Sequence, residues 1–168
     1  MNILTISGSA NRESSNQRLL KALPTIIKKH TFFHFEGLID FPLFTTDGDK
    51  NPPSFVLSFK QSIRDSDMVV ISFPEYIHNM PAVLKNALEW ITSSGEFDNK
   101  KVLVISFTPA SPRGEQAMQS LLWSLQALNA KVIAQLPLYQ SELKIKSDGQ
   151  LIGDSSIESI KIVFEFVG

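Results

Sequence analysis

The chain has 168 residues, of which 43% are hydrophobic and 20% charged, and its formal net charge is −1. This length suits one domain with a single core, and the balanced charge gives no reason to expect nucleic acid or an anionic membrane as a partner. Cysteine is absent, which excludes disulfides, thiolate metal sites and a cysteine nucleophile. We expect one domain over 1–168 and, without a signal-peptide pattern or a membrane-length apolar stretch, a cytoplasmic location.

Short apolar runs alternate along the chain with segments whose apolar residues recur at helical spacing. In chain order this predicts a strand at 3–7, a helix from 15 up to the Lys28–Lys29 pair, a strand at 31–35, a helix at 53–64, a strand at 68–73, a helix at 81–91, a strand at 102–106, a helix at 115–128, a strand at 131–136, a hairpin at 143–152 and a helix at 155–166.

The predicted strands are short continuous hydrophobic runs, and this is typical of a parallel sheet covered by helices on both faces. Right-handed crossovers restrict such an α/β chain to a doubly wound sheet, for which five strands favour the order 2-1-3-4-5. Ligands of these sheets bind outside the carboxyl ends of the strands, where the winding reverses. We therefore expect one site, formed by the loops after strands one, three and four.

The first of these loops, residues 7–16, is rich in hydroxyls and lies directly ahead of a helix. A helix N-terminus offers free backbone N–H groups and a partial positive charge, which suit a phosphate. Gly8 would let the backbone approach the phosphate. An equally compatible alternative is that Ser14 or Ser15 only caps the helix. The residues assigned to the phosphate site are Ser9, Asn11, Arg12, Ser14, Ser15 and Asn16.

The second loop, residues 74–81, contains two prolines and a tyrosine. It predicts a rigid turn whose apolar walls and backbone amides suit a flat ring such as isoalloxazine. His78 could donate a hydrogen bond there, although a solvent-facing loop histidine is the simpler interpretation. The residues assigned to ring binding are Pro74, Glu75, Tyr76, Ile77 and His78.

The third loop, residues 107–114, follows the fourth predicted strand. Its small residues and hydroxyls would line the pyrimidine side of the ring, and we assign Thr108 and Ser111 to that role. Two prolines and a glycine are equally typical of an ordinary tight turn.

Together these segments resemble the NADPH-dependent FMN reductase family, which includes flavodoxin-like quinone, azo-dye and chromate reductases. The phosphate loop of that family, Gly-Ser-x-Arg-x-x-Ser-x-Asn, is matched by Gly8, Ser9, Ser14 and Asn16. Its ring-binding segment, Pro-Glu-Tyr-Asn-x-x-x-Pro-Gly-x-Leu-Lys-Asn-Ala-x-Asp-Trp, corresponds without a gap to residues 74–90.

The resemblance implies a flavodoxin-like fold and a bound FMN that passes electrons from NADPH or NADH to a small acceptor: a quinone, a flavin, an azo compound or a metal oxyanion. Because the cofactor performs the bond chemistry, we assign no catalytic side chain and no metal ligand. The resemblance also implies a homodimer or homotetramer, and a structural role for Asn86 through hydrogen bonds to the backbone.

Several positions depart from the family pattern. Asn11 stands where an arginine is usual, with Arg12 one place later, Ile77 replaces an asparagine, and the third loop lacks two glycines and carries Arg113. Two other interpretations stay open: a flavodoxin-type electron carrier, and a non-catalytic relative that has lost its flavin. The balanced charge is unlike the acidic surface of such carriers, and the retained phosphate and ring motifs disfavour loss of the flavin.

Overall fold

The computed structural model describes residues 1–167. The elements in chain order are β1 (Asn2–Ser7), α1 (Ser15–Ile26), β2 (Thr31–Phe35), α2 (Ser54–Asp65), β3 (Met68–Phe73), α3 (Ala82–Glu89), β4 (Lys101–Thr108), α4 (Glu115–Ala127), β5 (Lys131–Tyr139), β6 (Lys144–Ile145), β7 (Leu151–Ile152) and α5 (Asp154–Val167). Two single turns of 3-10 helix, Leu38–Asp40 and Gly48–Lys50, lie in the long connection between β2 and α2.

Five strands form one parallel sheet in the order β2-β1-β3-β4-β5, which confirms the predicted flavodoxin-like topology. Ser7 at the end of β1 lies opposite Ser72 of β3, and Phe73 at the end of β3 lies opposite Ser106 of β4. The carboxyl ends of these three strands therefore meet at one edge of the sheet, and so do the three loops that follow them.

Helices cover both faces of the sheet because successive side chains of the central strands point to opposite faces and both sets are apolar. In β1, Leu4 and Ile6 pack in the layer that contains side chains of α2, α3 and α4, whereas Ile3 packs in the layer of α1 and α5. The core thus has two layers, and the central strands β1, β3 and β4 are buried between them.

Strand β5 runs to Tyr139, three residues beyond its predicted end. The predicted strand stopped directly before Pro137, a residue that cannot donate a ladder hydrogen bond. However, β5 is the outer strand of the sheet, and an edge strand tolerates a proline. The extension carries Gln140, the next residue, to the edge where the three loops meet.

Gly8 allows the first loop to pack directly against the sheet. Its N–H donates to the carbonyl of Ser72 at 2.8 Å, and a Cβ at this position would lie only 2.8 Å from Cβ of Phe73. Real Cβ atoms do not approach so closely, so any larger residue would push the loop away from β3. The glycine therefore allows the close approach of the first loop to β3 and α3.

The hairpin predicted at 143–152 is confirmed as the antiparallel pair of β6 and β7, with Gly149 in its turn at a φ of +83°. Across the described part of the chain, 1–167, no helix combines the length and apolar character needed to cross a membrane.

Candidate functional site

A cleft of about 340 Å³ opens at the carboxyl edge of the sheet. A volume of this size lies within the range of small-molecule and cofactor sites. Its lining comes from all three predicted loops and from the end of β5: Ser9, Ser14, Ser15, Asn16, Pro74, Glu75, Tyr76, Phe107, Thr108, Pro109, Arg113 and Gln140. The structure thus brings together most of the residues that the sequence assigned to the site.

The N-terminus of α1 forms one wall of the cleft. Ser14 is the N-cap of the helix, and its Oγ accepts a hydrogen bond from the backbone N–H of Gln17 at 3.1 Å. Ser14 therefore caps the helix, and it also lines the cleft. The N–H groups of Ser15 and Asn16 belong to the first turn and have no partner within the helix, so they stay available to an anion.

A second set of contacts joins α1 to Glu36, directly after β2. Gln17 donates from Nε2 to the Glu36 carboxylate at 2.8 Å, and Lys21 pairs with the same carboxylate at 2.7 Å. The hydrogen bond from Lys21 is the main reason why the pKa of Glu36 lies below its usual range. These contacts join α1 to the end of β2 and leave its N-terminus facing the cleft.

Asn16 is buried, with 1% of its surface exposed, and both ends of its side-chain amide are used by the protein. Its Oδ1 accepts a hydrogen bond from the Ser72 hydroxyl at 2.7 Å, and its Nδ2 donates to the carbonyl of Phe107 at 3.2 Å. Asn16 therefore joins the start of α1 to the ends of β3 and β4. The side chain predicted to bind phosphate is instead engaged in holding the walls of the cleft together, while its backbone N–H remains at the helix N-terminus.

Asn11 and Arg12 do not line the cleft. Arg12 forms an ion pair with Asp40, in the connection after β2, and both side chains are about half exposed. The Asn11 side chain accepts a hydrogen bond from the backbone N–H of Glu13 at 2.9 Å, which shapes the loop. The guanidinium of Arg12, which the sequence assigned to the phosphate, is thus held beside Asp40 and outside the lining of the cleft.

Glu75 acts as a cap for α4, although it is remote from that helix in sequence. Its Oε2 accepts hydrogen bonds from the backbone N–H groups of Gly114 and Ala117, both at 3.1 Å. A carboxylate at a helix N-terminus is favoured by the partial positive charge there. Glu75, predicted to contact the ring, therefore connects the second loop to the third and fixes their separation.

The second loop folds into a tight turn between Tyr76 and Asn79. The backbone groups of these two residues exchange both of their hydrogen bonds, each at 3.0 Å, and the intervening Ile77 and His78 have φ values of +51° and +54°. Two consecutive positive φ values define the turn type that normally takes Asn-Gly. Ile77 is 96% exposed and His78 is turned to solvent, and neither lines the cleft.

The third loop supplies Thr108 and Arg113 to the cleft, whereas Ser111 lies outside its lining. The Thr108 hydroxyl donates to the carbonyl of Arg113 at 2.8 Å, so its role is to hold the loop. Sequence reasoning missed Gln140, whose Nε2 donates to the Ser15 hydroxyl at 2.9 Å. The predicted strand ended at residue 136, four residues before Gln140. Extending β5 to Tyr139 would have placed Gln140 at the edge of the sheet, beside the three loops.

The residues of the cleft fit FMN. A helix N-terminus with the serine hydroxyls of the first loop suits the phosphate, and Pro74, Tyr76 and Phe107 provide apolar surface for a ring. Arg113 adds a positive charge to the wall, and Glu75 is partly neutralised by α4. A doubly wound parallel sheet with this constellation at its switch point defines a flavodoxin-like flavoprotein.

The chain belongs to the NADPH-dependent FMN reductase family, whose model matches residues 1–141. It is thus an oxidoreductase that uses FMN with NAD(P)H, as the resemblance in the sequence implied.

Individual relatives agree with this assignment. The chain is 32% identical to the NADH:(hydroxy)cinnamate reductase subunit CrdA of Vibrio ruber, over 99% of this chain and 86% of the relative. It is 28% identical to a quinone reductase of Pseudomonas putida, over 76% of this chain and 70% of that protein. The solved structure of FerB, a flavoenzyme NAD(P)H:(acceptor) oxidoreductase of Paracoccus denitrificans, superposes with a TM-score of 0.77 at 22% identity, covering 99% of this chain and 92% of FerB, and supports the fold.

The role of Asn16 as a tie between three elements predicts a loss of stability on substitution. In the Asn16→Ala variant the carbonyl of Phe107 loses its partner in a buried site, and we expect the free energy of unfolding of the FMN-free protein to fall by about 2 kcal/mol. Urea denaturation measures this change. Asn51→Ala, at an exposed position, is the matched control and should stay near the wild-type value. A wild-type midpoint for Asn16→Ala would show that the amide does not hold the cleft.

The left-handed backbone conformation of Ile77 predicts a gain in stability on substitution. A β-branched residue is strained at positive φ, whereas asparagine tolerates this conformation, and the exposed Ile77 side chain loses almost no burial. Ile77→Asn should therefore stabilise the protein by about 1 kcal/mol in thermal or urea denaturation. Ile39→Asn, at a half-exposed isoleucine with an ordinary φ, should bring no gain. Destabilisation by Ile77→Asn would mean that Ile77 makes stabilising contacts.

Proposed function

We propose that the chain holds FMN in the cleft and passes electrons from NADPH or NADH to a small acceptor, with a quinone as the first candidate. The observation that carries this proposal is the convergence of the α1 N-terminus, the turn at Tyr76 and the third loop on one cavity of about 340 Å³. FMN, when bound, supplies the chemistry that accepts hydride from the nicotinamide and releases the electrons to the acceptor. The protein supplies binding, orientation and electrostatics.

The phosphate of FMN is assigned to the N-terminus of α1. The backbone N–H groups of Ser15 and Asn16 would donate to it, and the hydroxyls of Ser9 and Ser15 would add hydrogen bonds to a charged acceptor. The helix dipole favours a dianion at this position. Arg12 is engaged with Asp40, so hydrogen bonds and the helix end carry the recognition here.

The ring of the flavin is assigned to the space beside the second and third loops. Pro74 and the backbone of the Tyr76–Asn79 turn form a rigid wall, because the turn is closed by two hydrogen bonds. Glu75 keeps the third loop at a fixed distance from this wall through its bonds to α4. The Tyr76 side chain is 56% exposed, so it can border a reactant that approaches from solvent.

A small acceptor is favoured over a redox-protein partner by the relatives, one of which is named as a quinone reductase. No side-chain acid or base is needed for quinone reduction, because FMN, when bound, would supply the electrons and water can supply the protons. In addition, we propose a cytoplasmic location, supported by the dependence on NAD(P)H and the lack of cysteine.

The direct test uses the purified protein. We expect it to be yellow and to lose its flavin absorbance under anaerobic conditions when NADPH or NADH is added, with colour returning on addition of a quinone. A yellow protein that resists both nicotinamides but accepts electrons from a redox protein would indicate an electron carrier. A colourless protein that does not bind added FMN would contradict the proposal and indicate a relative that has lost its flavin.

Self-association is supported by a groove of about 290 Å³ between α3 and α4. Trp123 borders the groove and is 65% exposed, and tryptophan is enriched at protein–protein interfaces. Ala127 and Leu128 add apolar surface to the same groove. We propose that a second copy of the chain covers this face in a homodimer or homotetramer.

A charge placed on this face should weaken the assembly. We expect Trp123→Lys to shift the sedimentation-equilibrium mass towards the monomer, because a lysine would have to be buried without a partner. Leu43→Lys, at a residue that is 82% exposed outside the groove, should keep the wild-type mass. If the wild-type protein sediments as a monomer, or if Trp123→Lys sediments like the wild type, the face between α3 and α4 is not the interface.

A further inference from the structure

Arg113 is the cationic side chain in the lining of the cleft, and it is exposed. Among the ion pairs and side-chain hydrogen bonds formed within residues 1–167, none involves the guanidinium of Arg113. A guanidinium left free at the mouth of a cavity can hold a carboxylate, sulfonate or phosphate through two parallel hydrogen bonds.

The backbone that carries Arg113 is held in place from both sides. Its N–H donates to the carbonyl of Ala110 at 3.1 Å, and its carbonyl accepts from the Thr108 hydroxyl at 2.8 Å. The next residue, Gly114, has a φ of +105° and donates to Glu75 at 3.1 Å. A Cβ on Gly114 would lie 3.0 Å from Cβ of Ser106, so the loop has little room to move. The backbone of Arg113 is therefore fixed, while its guanidinium group forms no hydrogen bond within residues 1–167.

The carboxylate in the cleft lining does not neutralise Arg113. Glu75 uses Oε2 to accept from the two N–H groups of α4, and its Oε1 lies 3.6 Å from Nδ1 of His78. Arg12, the other arginine of the neighbouring loops, is paired with Asp40. The positive charge of the cleft wall thus comes from Arg113 and is directed to whatever enters the cleft.

We propose that Arg113 is a specificity-determining residue that binds an anionic group carried by one of the two reactants. This inference rests on the proposed function, because it needs a reactant to enter beside the flavin. Because Arg113 is exposed, its ligand is more readily a reactant that exchanges with solvent than the bound FMN. The phosphate of FMN is assigned to the N-terminus of α1. The anionic group has two possible sources: a carboxylate or sulfonate on the acceptor, or a phosphate of the nicotinamide cofactor.

The experiment compares Arg113→Gln with the wild type on matched reactants. The acceptors are 1,4-naphthoquinone and its 2-sulfonate, and the donors are NADH and NADPH. If Arg113 binds the acceptor, kcat/KM for the sulfonate should fall about 10-fold or more while that for the neutral quinone stays within about twofold. If it binds the 2′-phosphate of the donor, the selective loss should appear for NADPH against NADH. Arg113→Lys should recover part of either loss, because it keeps the charge without the planar fork.

Two further measurements separate this role from a structural one. If the anion belongs to the acceptor, binding of a non-reducible naphthalenesulfonate, followed by the change in the oxidised flavin spectrum without turnover, should weaken about 10-fold in Arg113→Gln and weaken with added salt in the wild type. If it belongs to the donor, the binding of NADP⁺ rather than NAD⁺ should show this loss. The Kd for FMN and the unfolding midpoint should stay at wild-type values. Arg18→Gln, which removes an exposed arginine of α1 outside the cleft lining, should change none of these quantities.

Failure of this inference is distinguishable from failure of the proposed function. An equal loss for charged and neutral reactants, a loss of FMN affinity, or no change at all in Arg113→Gln would overturn the role of Arg113 and leave the reductase assignment intact. A wild-type protein that binds no FMN, or whose flavin neither nicotinamide reduces, would overturn both.

Discussion

The buried amide of Asn16 is the contact on which the geometry of the site depends. It joins the first turn of α1 to the Ser72 hydroxyl on β3 and to the carbonyl of Phe107 on β4. A side chain with one donor and one acceptor can satisfy both groups, and an apolar residue would leave the carbonyl buried without a partner. The bond network therefore orients a helix N-terminus over the edge of the sheet, and the proposed phosphate site rests on that orientation.

The cleft is consequently an arrangement of loops that hold each other by side-chain to backbone bonds. Glu75 bonds the second loop to the N-terminus of α4, and Gln140 bonds the end of β5 to Ser15. Two helix N-termini face this region, and they are used differently: that of α4 is neutralised by Glu75, whereas that of α1 is left open. This difference is why we place the phosphate dianion at α1, with Arg113 as an additional charge in the cleft lining.

The fold could be predicted from the sequence almost completely, because the central strands are continuous apolar runs and the order of elements leaves few topologies. The position of the site followed from the same topology. The roles of single side chains could not be predicted from the topology. Asn16 and Glu75 carry the residue types of a ligand site, but only the packed structure shows that their polar atoms bond to the protein. Arg12 was assigned by its place in the loop, and its partner Asp40 lies far along the chain. These hydrogen bonds and this ion pair join residues that are far apart in the sequence, so no local sequence pattern predicts them.

The central claim, that the α1 N-terminus binds the phosphate of FMN, is tested most directly by titrating the FMN-free protein with FMN and with riboflavin, which differ only in that phosphate. Several charge-assisted hydrogen bonds to a dianion predict that FMN binds at least about 100-fold more tightly than riboflavin, and that the difference shrinks with salt. Equal affinities for the two flavins would contradict the account, because the phosphate would then lie outside the cleft.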